Sequence, residues 1–421
     1  MWSKPENPVP IEASQLRVGL YIWLNMPWDE HPFLQNKFRI TSENQLGILR
    51  SLNLGDRLFY FANKSEVEPA PVEVAKPVEA APAPAVAEAV SHLKEEKQAK
   101  LQRQKEAAAR AERAWEQAAK STREGMLGMA RNPKQAGVQL MNLSRETASS
   151  IAQGEEILLH LLGDKEGEGP QFHALNVLTL SMLVGKMAGM NEQQLSELAL
   201  GAIAHDIGKA QVPAHLLKAK TRARHEEEFY RTHGAYGIQL AQASGVFSDE
   251  SLAVLADHHE YLDGTGFPSG KKTIGAAARI VALVNRYDRL CSPESPEKDS
   301  LTPAEALARL FKLESARFDP RLLSMMVKLL GVYPPGTITR LSDDSLALVV
   351  APGKESLRPT VIIYMPEVDK KDAPILDLAE EPSLKIEEVI RPSGLPKDVL
   401  DWLNPRQRLA YFFTVENKRA E

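Results

Sequence analysis

The sequence predicts a mainly α-helical protein, with a small α/β unit ahead of the helices and a short β extension behind them. Three observations carry that expectation. Apolar residues recur with a 3.6-residue period from about 137 to 330. Short β-favouring runs flank that stretch, around 18–61 and 337–365. Between the first unit and the helices the composition shifts twice, to Pro/Ala-rich and then to Ala/Glu/Lys/Arg-rich.

The first unit is expected over residues 8–68. Val18 to Leu24 and Phe38 to Thr41 favour strands, Ser42 caps a short helix through about Asn53, and Arg57 to Phe61 is a further strand. Asp29 and His31 fall here and read as surface residues. Residues 69–90 carry a proline every few positions and are expected to form an extended linker. Residues 91–136 follow as a charged spacer helix, with pairs such as Glu96/Lys100 and Glu106/Arg110 at i,i+4 spacing. This helix is also a candidate seam for a homodimer, although strict heptads are absent.

The helical domain is placed at 137–332. Leu140, Leu143, Ile151, Ile157, Leu158, Leu161 and Leu162 mark one or two helices. Phe172 to Met187, Gln194 to His205, Tyr230 to Ala243, Ser251 to His259, Ala276 to Leu290, Pro303 to Phe311 and Pro320 to Leu330 mark the rest. Residues 333–421 are a β extension and tail, with strands at 337–341, 345–350 and 360–365 and a short helix near Lys397 to Leu403.

Bulk properties narrow the function. At 421 residues the chain exceeds the usual size of one domain. A net charge of −5 provides no general basic field, so no DNA partner is expected, while a small anion in a local pocket stays open. The lone cysteine, Cys291, excludes a disulfide framework within the chain and a thiolate-built zinc site. No apolar run reaches the ~18 residues of a membrane span and no signal-like start is present, so a cytoplasmic protein is expected.

The chemistry concentrates in the helical domain. His205-Asp206 ends an apolar stretch (LALGAIAHDIGK), and adjacent His and Asp at a helix end can aim at one point. Lys209, three residues on, can offer a fixed positive charge to a phosphate oxygen. The alternative is a plain helix terminus in which His205 and Lys209 complement the dipole and Gly208 ends the turn. His258-His259 ends a second apolar run and leads into a Gly/Pro-rich loop at 263–268. His173 and His233, each alone, read as core or capping residues. Together, these imidazoles and one carboxylate suit Fe, Mn, Zn or Ni. They suffice for two ions about 3.5–4 Å apart, the arrangement used to cleave phosphoesters.

In this order, His173, His205-Asp206-x-Gly208-Lys209, His233, His258-His259 and Asp263-Gly264-Thr265-Gly266-Phe267-Pro268 resemble the HD-GYP branch of the HD superfamily. Segments 8–68 and 333–365 also resemble the flanking units of one HD-GYP subgroup. The resemblance implies an HD-type helical bundle around two divalent ions, Fe or Mn first. It implies hydrolysis of cyclic di-GMP to pGpG or GMP in bacterial signalling, with signalling proteins as further partners. It implies His173, His205, Asp206, His233, His258 and His259 as metal ligands, with Asp206 as the bridge. Lys209 and Asp206 would be catalytic, and Lys209, Asp263, Gly264, Gly266, Phe267 and Pro268 would surround the substrate.

The chain departs from the pattern in several places. Phe267 replaces tyrosine and Gly234 replaces a proline. Asn285 falls where a ligand aspartate is expected, with Asp288 one turn on as a candidate substitute. The stretch CSPESPEKDS lacks an arginine-rich segment, and Gly169, beside Glu168, stands where some members carry a glutamate for a third metal. Three readings follow: an active phosphodiesterase, an impaired member that binds cyclic di-GMP or a protein without turnover, and a structural scaffold. Against the scaffold stands the cost of burying unpartnered imidazoles.

Overall fold

The computed structural model describes residues 8–27, 30–33, 35–71, 84–153, 156–161, 170–295, 300–370, 373–403 and 411–416. Asp29, the linker stretch 72–83, Leu162, Glu168 and Gly169 lie outside the described residues.

The N-terminal unit is an antiparallel sheet with one helix. Strands β1 (Val9–Pro10), β2 (Tyr21–Leu24), β3 (Lys37–Arg39) and β4 (Leu58–Tyr60) pair in the order β1-β4-β2-β3, with Ile22 opposite both Phe38 and Tyr60. Helix α1 (Glu43–Ser51) starts where Ser42 Oγ accepts from the Gln45 N–H at 3.2 Å, and buries Leu46 and Leu49 against the sheet. His31 is not on the surface as expected. Its ring is fully buried, with Nε2 3.0 Å from Asn36 Oδ1 and the Phe33 ring 6.0 Å from it.

Helix α2 (Pro84–Gly128) is one continuous helix that begins inside the segment expected as linker. Pro84 is compatible with a first-turn position, and Ala-Val-Ala-Glu-Ala after it favours helix. Near its end Trp115 is buried and stacks on Phe172 (5.0 Å between centroids, 13° between planes), so this indole packs within the chain.

The helical domain follows: α3 (Pro133–Gln153), then after one strand α4 (Pro170–Met187), α5 (Glu192–Ala204), α6 (Ala214–Lys218), α7 (Arg224–Arg231), α8 (His233–Ser244), α9 (Asp249–Asp257), α10 (Ala276–Cys291), α11 (Pro303–Lys312) and α12 (Pro320–Leu330). The helix expected from Tyr230 is in fact two, broken at Thr232, which lets α8 start at His233. Helix α4 is the hub. Every residue from His173 to Gly185 is buried, as expected of a helix apolar on all sides, and it packs on α5, α10, α2 and α12. An Asn191/Gln194 capping box starts α5, and a Thr302/Glu305 box with Pro303 starts α11.

The strand before α4 is β5 (Glu156–Leu161), where helix was expected for Ile157, Leu158 and Leu161. Its partner is β11 (Tyr411–Glu416), paired antiparallel with Ile157 opposite Val415. A short apolar run has no decisive period of its own, and the distant partner decides it. The C-terminal sheet contains β6 (Ile338–Leu341), β7 (Leu346–Glu355), β8 (Arg358–Ile363), β9 (Ile375–Asp377) and β10 (Ile386–Ile390), in the order β10-β6-β7-β8-β9. Helix α13 (Lys397–Leu403) covers one face, burying Val399 and Leu403 with Ile338 and Leu348. The two β units touch: Tyr21 Oη donates to Asp343 Oδ2 at 3.1 Å, and Lys64 Nζ to the Asp343 carbonyl at 2.7 Å.

Candidate metal centre

Helix ends converge on one point inside the helical domain. His173 comes from the first turn of α4, and His205 and Asp206 from the end of α5. His233 opens α8, and His258 and His259 follow α9. Asp206 stands in the middle. Its Oδ2 lies 3.6 Å from His173 Nε2 and 3.4 Å from His205 Nε2, and its Oδ1 lies 3.6 Å from His233 Nε2 and 3.7 Å from His258 Nε2. Two groups of ligand atoms therefore share one carboxylate: His173, His205 and Asp206, and Asp206 with His233, His258 and His259, each within 4.8 Å.

The hydrogen bonds behind the rings fix which nitrogens face inward. Nδ1 of His205, His233 and His258 donates to the carbonyls of Ala202 (2.7 Å), Tyr230 (2.7 Å) and Leu255 (3.0 Å), each three residues earlier. Nδ1 of His173 donates to Asp288 Oδ2 at 2.6 Å, and Asn176 Nδ2 donates to the other Asp288 oxygen at 2.8 Å. Every Nε2 is then a bare lone pair in the neutral ring. Burial favours the neutral ring at His173, His233, His258 and His259. It lowers His233 to about 3, against the pull of Asp206, and His173 to about 4, with Arg289 adding to the effect. Burial also lowers His258, and takes His259 well below the usual imidazole range.

This geometry is a test of whether metal fits. His173 and His205 bring Nε2 atoms within 3.1 Å, and His233 and His258 within 3.3 Å. Two facing lone pairs have no proton to share, so each pair offers two ligand atoms to one cation. Ligand atoms about 2.1 Å from a common ion stand roughly 3–3.5 Å apart, which is the spacing seen. Asp206 Oδ1 and His259 Nε2 are buried without a hydrogen-bond partner. These residues fit divalent metal, with Asp206 common to both ligand groups.

Cations surround the carboxylate. Lys209 Nζ donates to Asp206 Oδ2 at 2.8 Å, and Arg289 Nη2 to the same oxygen at 2.7 Å. Burial would push Asp206 up, but Lys209 and His205 outweigh it and hold the carboxyl well below its ordinary range. Burial and Arg289 pull Lys209 down, while Asp206, Tyr230 and Glu294 prevail and keep it ammonium.

Both oxygens of Asp288 are engaged behind His173, by His173 Nδ1 and by Asn176 Nδ2. Asn285 is buried in α10 with its Oδ1 unpartnered. Asp263 accepts from its own loop, from the Thr265 N–H at 2.9 Å and Oγ1 at 2.7 Å, and Gly264 has a φ of +82°. Gly266 is required by close approach, because a Cβ there would lie 2.4 Å from the His259 carbonyl oxygen. Phe267 stacks on the His259 ring (4.4 Å, 23°), and Pro268 is exposed beside it. The loop thus braces the His259 ring.

A cavity of about 260 Å³ opens beside His259, and none of the residues 263–268 lines it. Arg222, Tyr230, Arg286, Arg289 and Glu294 do. Sequence reasoning missed all five. Arg289 follows Asp288 directly and was within reach of helical phase, but Arg222 and Tyr230 come from segments with no motif. A larger cavity of about 430 Å³ lies between Phe33 and Phe38 of one β unit and Lys385 of the other, and holds none of the site residues.

Residues 116–322 match the family described as HD domain, and residues 9–139 match a domain of unknown function, DUF3391. The helical domain is thus an HD domain. Its similarity to the cyclic di-GMP phosphodiesterase PA4108 of Pseudomonas aeruginosa is 27% identity over 384 residues, 87% of this chain and 88% of that one. Against the cyclic di-GMP phosphodiesterase response regulator RpfG of Xanthomonas campestris it is 31% over 150 residues, 35% and 39% of the two chains. Against the 3'3'-cGAMP-specific phosphodiesterase 3 of Vibrio cholerae it is 29% over 172 residues, 38% and 35%. Among the described residues no helix is long and apolar enough to cross a membrane.

Proposed function

We propose that this chain is an HD-GYP protein, a metal-dependent phosphodiesterase that hydrolyses cyclic di-GMP to pGpG or GMP. The observation that carries it is the pair of bare Nε2 couples, His173/His205 and His233/His258, on opposite oxygens of one buried carboxylate. The relative matched over most of its length has that activity in its name. Histidine-rich, thiolate-free ligation suits Fe or Mn.

His173 and His205 would hold one ion, His233, His258 and His259 the other, and Asp206 both. Two ions bound there supply an acidified water and charge for the phosphoryl oxygens. Lys209, fixed by Asp206, places a positive charge beside the reacting phosphate, and contributes because it is already oriented before the substrate arrives. Asp288 and the backbone carbonyls hold the imidazoles in one tautomer. Phe267, packed on His259, excludes water from that side.

A second reading, binding without turnover, draws on Asn285. A neutral amide oxygen is a weaker ligand than a carboxylate, so one ion would be held loosely. The test is anaerobic incubation with Fe(II) or Mn(II) and cyclic di-GMP, with products separated by chromatography, for the parent, Asp206→Ala and Asn285→Asp. Product from the parent and none from Asp206→Ala is expected. Turnover only by Asn285→Asp would mark a natural binding variant. Product of 3'3'-cGAMP alone would move the substrate, and silence from all would overturn the hydrolase. Asp206→Ala should also lose its metal, whereas Lys209→Ala should keep metal and lose about 100-fold or more in rate.

A further inference from the structure

The cavity beside His259 is rich in cations, yet it contains one carboxylate. Arg222, Arg286 and Arg289 line it, and Arg222 lies flat over the Tyr230 ring at 3.8 Å. Glu294 is the carboxylate. Its Oε1 lies 3.3 Å from Lys209 Nζ and 3.9 Å from Arg289 Nη2, and its Oε2 accepts from Tyr230 Oη at 3.2 Å. An ammonium, a guanidinium and a phenol O–H are the donors that would receive the oxygens of a phosphate. Two of them, Lys209 and Arg289, also hold Asp206 Oδ2 at the centre of the metal site. Glu294 therefore takes up, from the outer side, the charge that faces the reacting centre.

We propose that Glu294 occupies the seat of a substrate phosphate, so that its carboxylate must leave for the ligand to bind and sets the affinity of this site for phosphodiesters. The inference rests on the reading that the centre acts on phosphodiesters. Two anions cannot share those donors: a phosphodiester entering against Lys209 and Arg289 meets the Glu294 charge within a few Å. The side chain is 23% exposed and reaches into the cavity from the segment after α10, so it can withdraw toward solvent. Glu294 contributes no bond to the reacting atoms, and acts on binding through the cations it occupies.

Glu294→Gln preserves shape and removes the charge. In the metal-loaded full chain KM for cyclic di-GMP is expected to fall about tenfold, with kcat within about twofold, because one unit charge a few Å from an anionic ligand is worth at least that in a partly solvated site. The gap between parent and variant should shrink at high salt, which a purely structural role would not produce. Glu294→Ala should change KM in the same direction, and Glu294→Asp should stay near the parent. Unchanged KM, or lost kcat at unchanged KM with metal retained, would overturn the proposal. Bis(4-nitrophenyl) phosphate separates it from the choice of substrate. If the parent cleaves that diester but not cyclic di-GMP, the cyclic dinucleotide reading fails and Glu294 is judged on the simple diester. If neither is cleaved, calorimetry with inorganic phosphate decides: tighter binding by Glu294→Gln supports the seat, and equal binding overturns it.

Discussion

Replacing Gly208 by alanine puts a methyl group where two backbone segments already touch. A Cβ built on Gly208 lies 1.8 Å from the His233 carbonyl oxygen, 2.4 Å from the Gly237 nitrogen and 2.9 Å from the His233 carbonyl carbon. Contacts of this kind settle at about 3.5 Å, so the turn after α5 and the first turn of α8 must separate by about 1.5 Å. Nothing flexible can yield, because all three atoms are backbone. Overpacking of this size costs about 1–3 kcal/mol. In a helical domain of this size each kcal/mol is worth about 2–4 °C, so melting should fall by about 2–12 °C. The larger effect is on the centre. Asp206 and His233 sit on the two segments that part, with Oδ1 and Nε2 only 3.6 Å apart. Opening that gap by about 1 Å spoils a shared ligand set and costs about 100-fold or more in rate. Gly234→Ala is the internal control. Its nearest neighbour would be the Leu255 carbonyl oxygen at 3.5 Å, an ordinary contact, and alanine gains up to about 1 kcal/mol in a helix. Thermal melting and metal content after dialysis, measured on both variants, decide the matter. Gly208→Ala with parental melting and full metal, or Gly234→Ala equally damaged, would refute the argument.

Asp288→Asn leaves one acceptor where His173 and Asn176 both donate, so metal affinity should fall about 10-fold with little change in helix content; a parental titration curve would remove Asp288 from the role of orienting His173. For Glu314, burial would raise the carboxyl, but hydrogen bonds from Arg286 and Arg309 overcome it and lower it to about 2. A depressed carboxyl stabilises above its unfolded value near 4.5 and loses that contribution as pH falls toward 2. Because its arginine partners are part-exposed, the contribution is about 2 kcal/mol. Glu314→Gln should therefore melt lower than the parent at pH 7, with the difference closing toward pH 2–3; a gap that stays constant with pH would contradict the ion-pair account. Trp115→Ala removes the ring stacked on Phe172 and should destabilise by about 3–5 kcal/mol in chemical denaturation while metal binding persists. A loss below about 1 kcal/mol would mean that α2 is only loosely docked.

The sequence by itself determined the helical class, the two flanking β units and the residues of the centre. Sustained 3.6-residue periodicity is a local property, and a capping residue such as Ser42 marks a helix start without help from distant parts of the chain. His205-Asp206 and His258-His259 are legible as adjacent pairs at helix ends, whereas His173 and His233 join them only through the order along the chain that resembles the HD-GYP pattern. Only the tertiary structure decided what depends on partners remote in sequence. Residues 156–161 became a strand because Tyr411–Glu416 lies against them, which no local period encodes. The cation-lined cavity combines Arg222, Tyr230, Arg289 and Glu294 from three separate segments, each unremarkable alone. Asp288 is a candidate substitute ligand by helical spacing alone, and its hydrogen bond to His173 exists because α10 packs on α4. Side-chain chemistry can be read along the chain, but the direction in which a side chain points is set by how the helices pack.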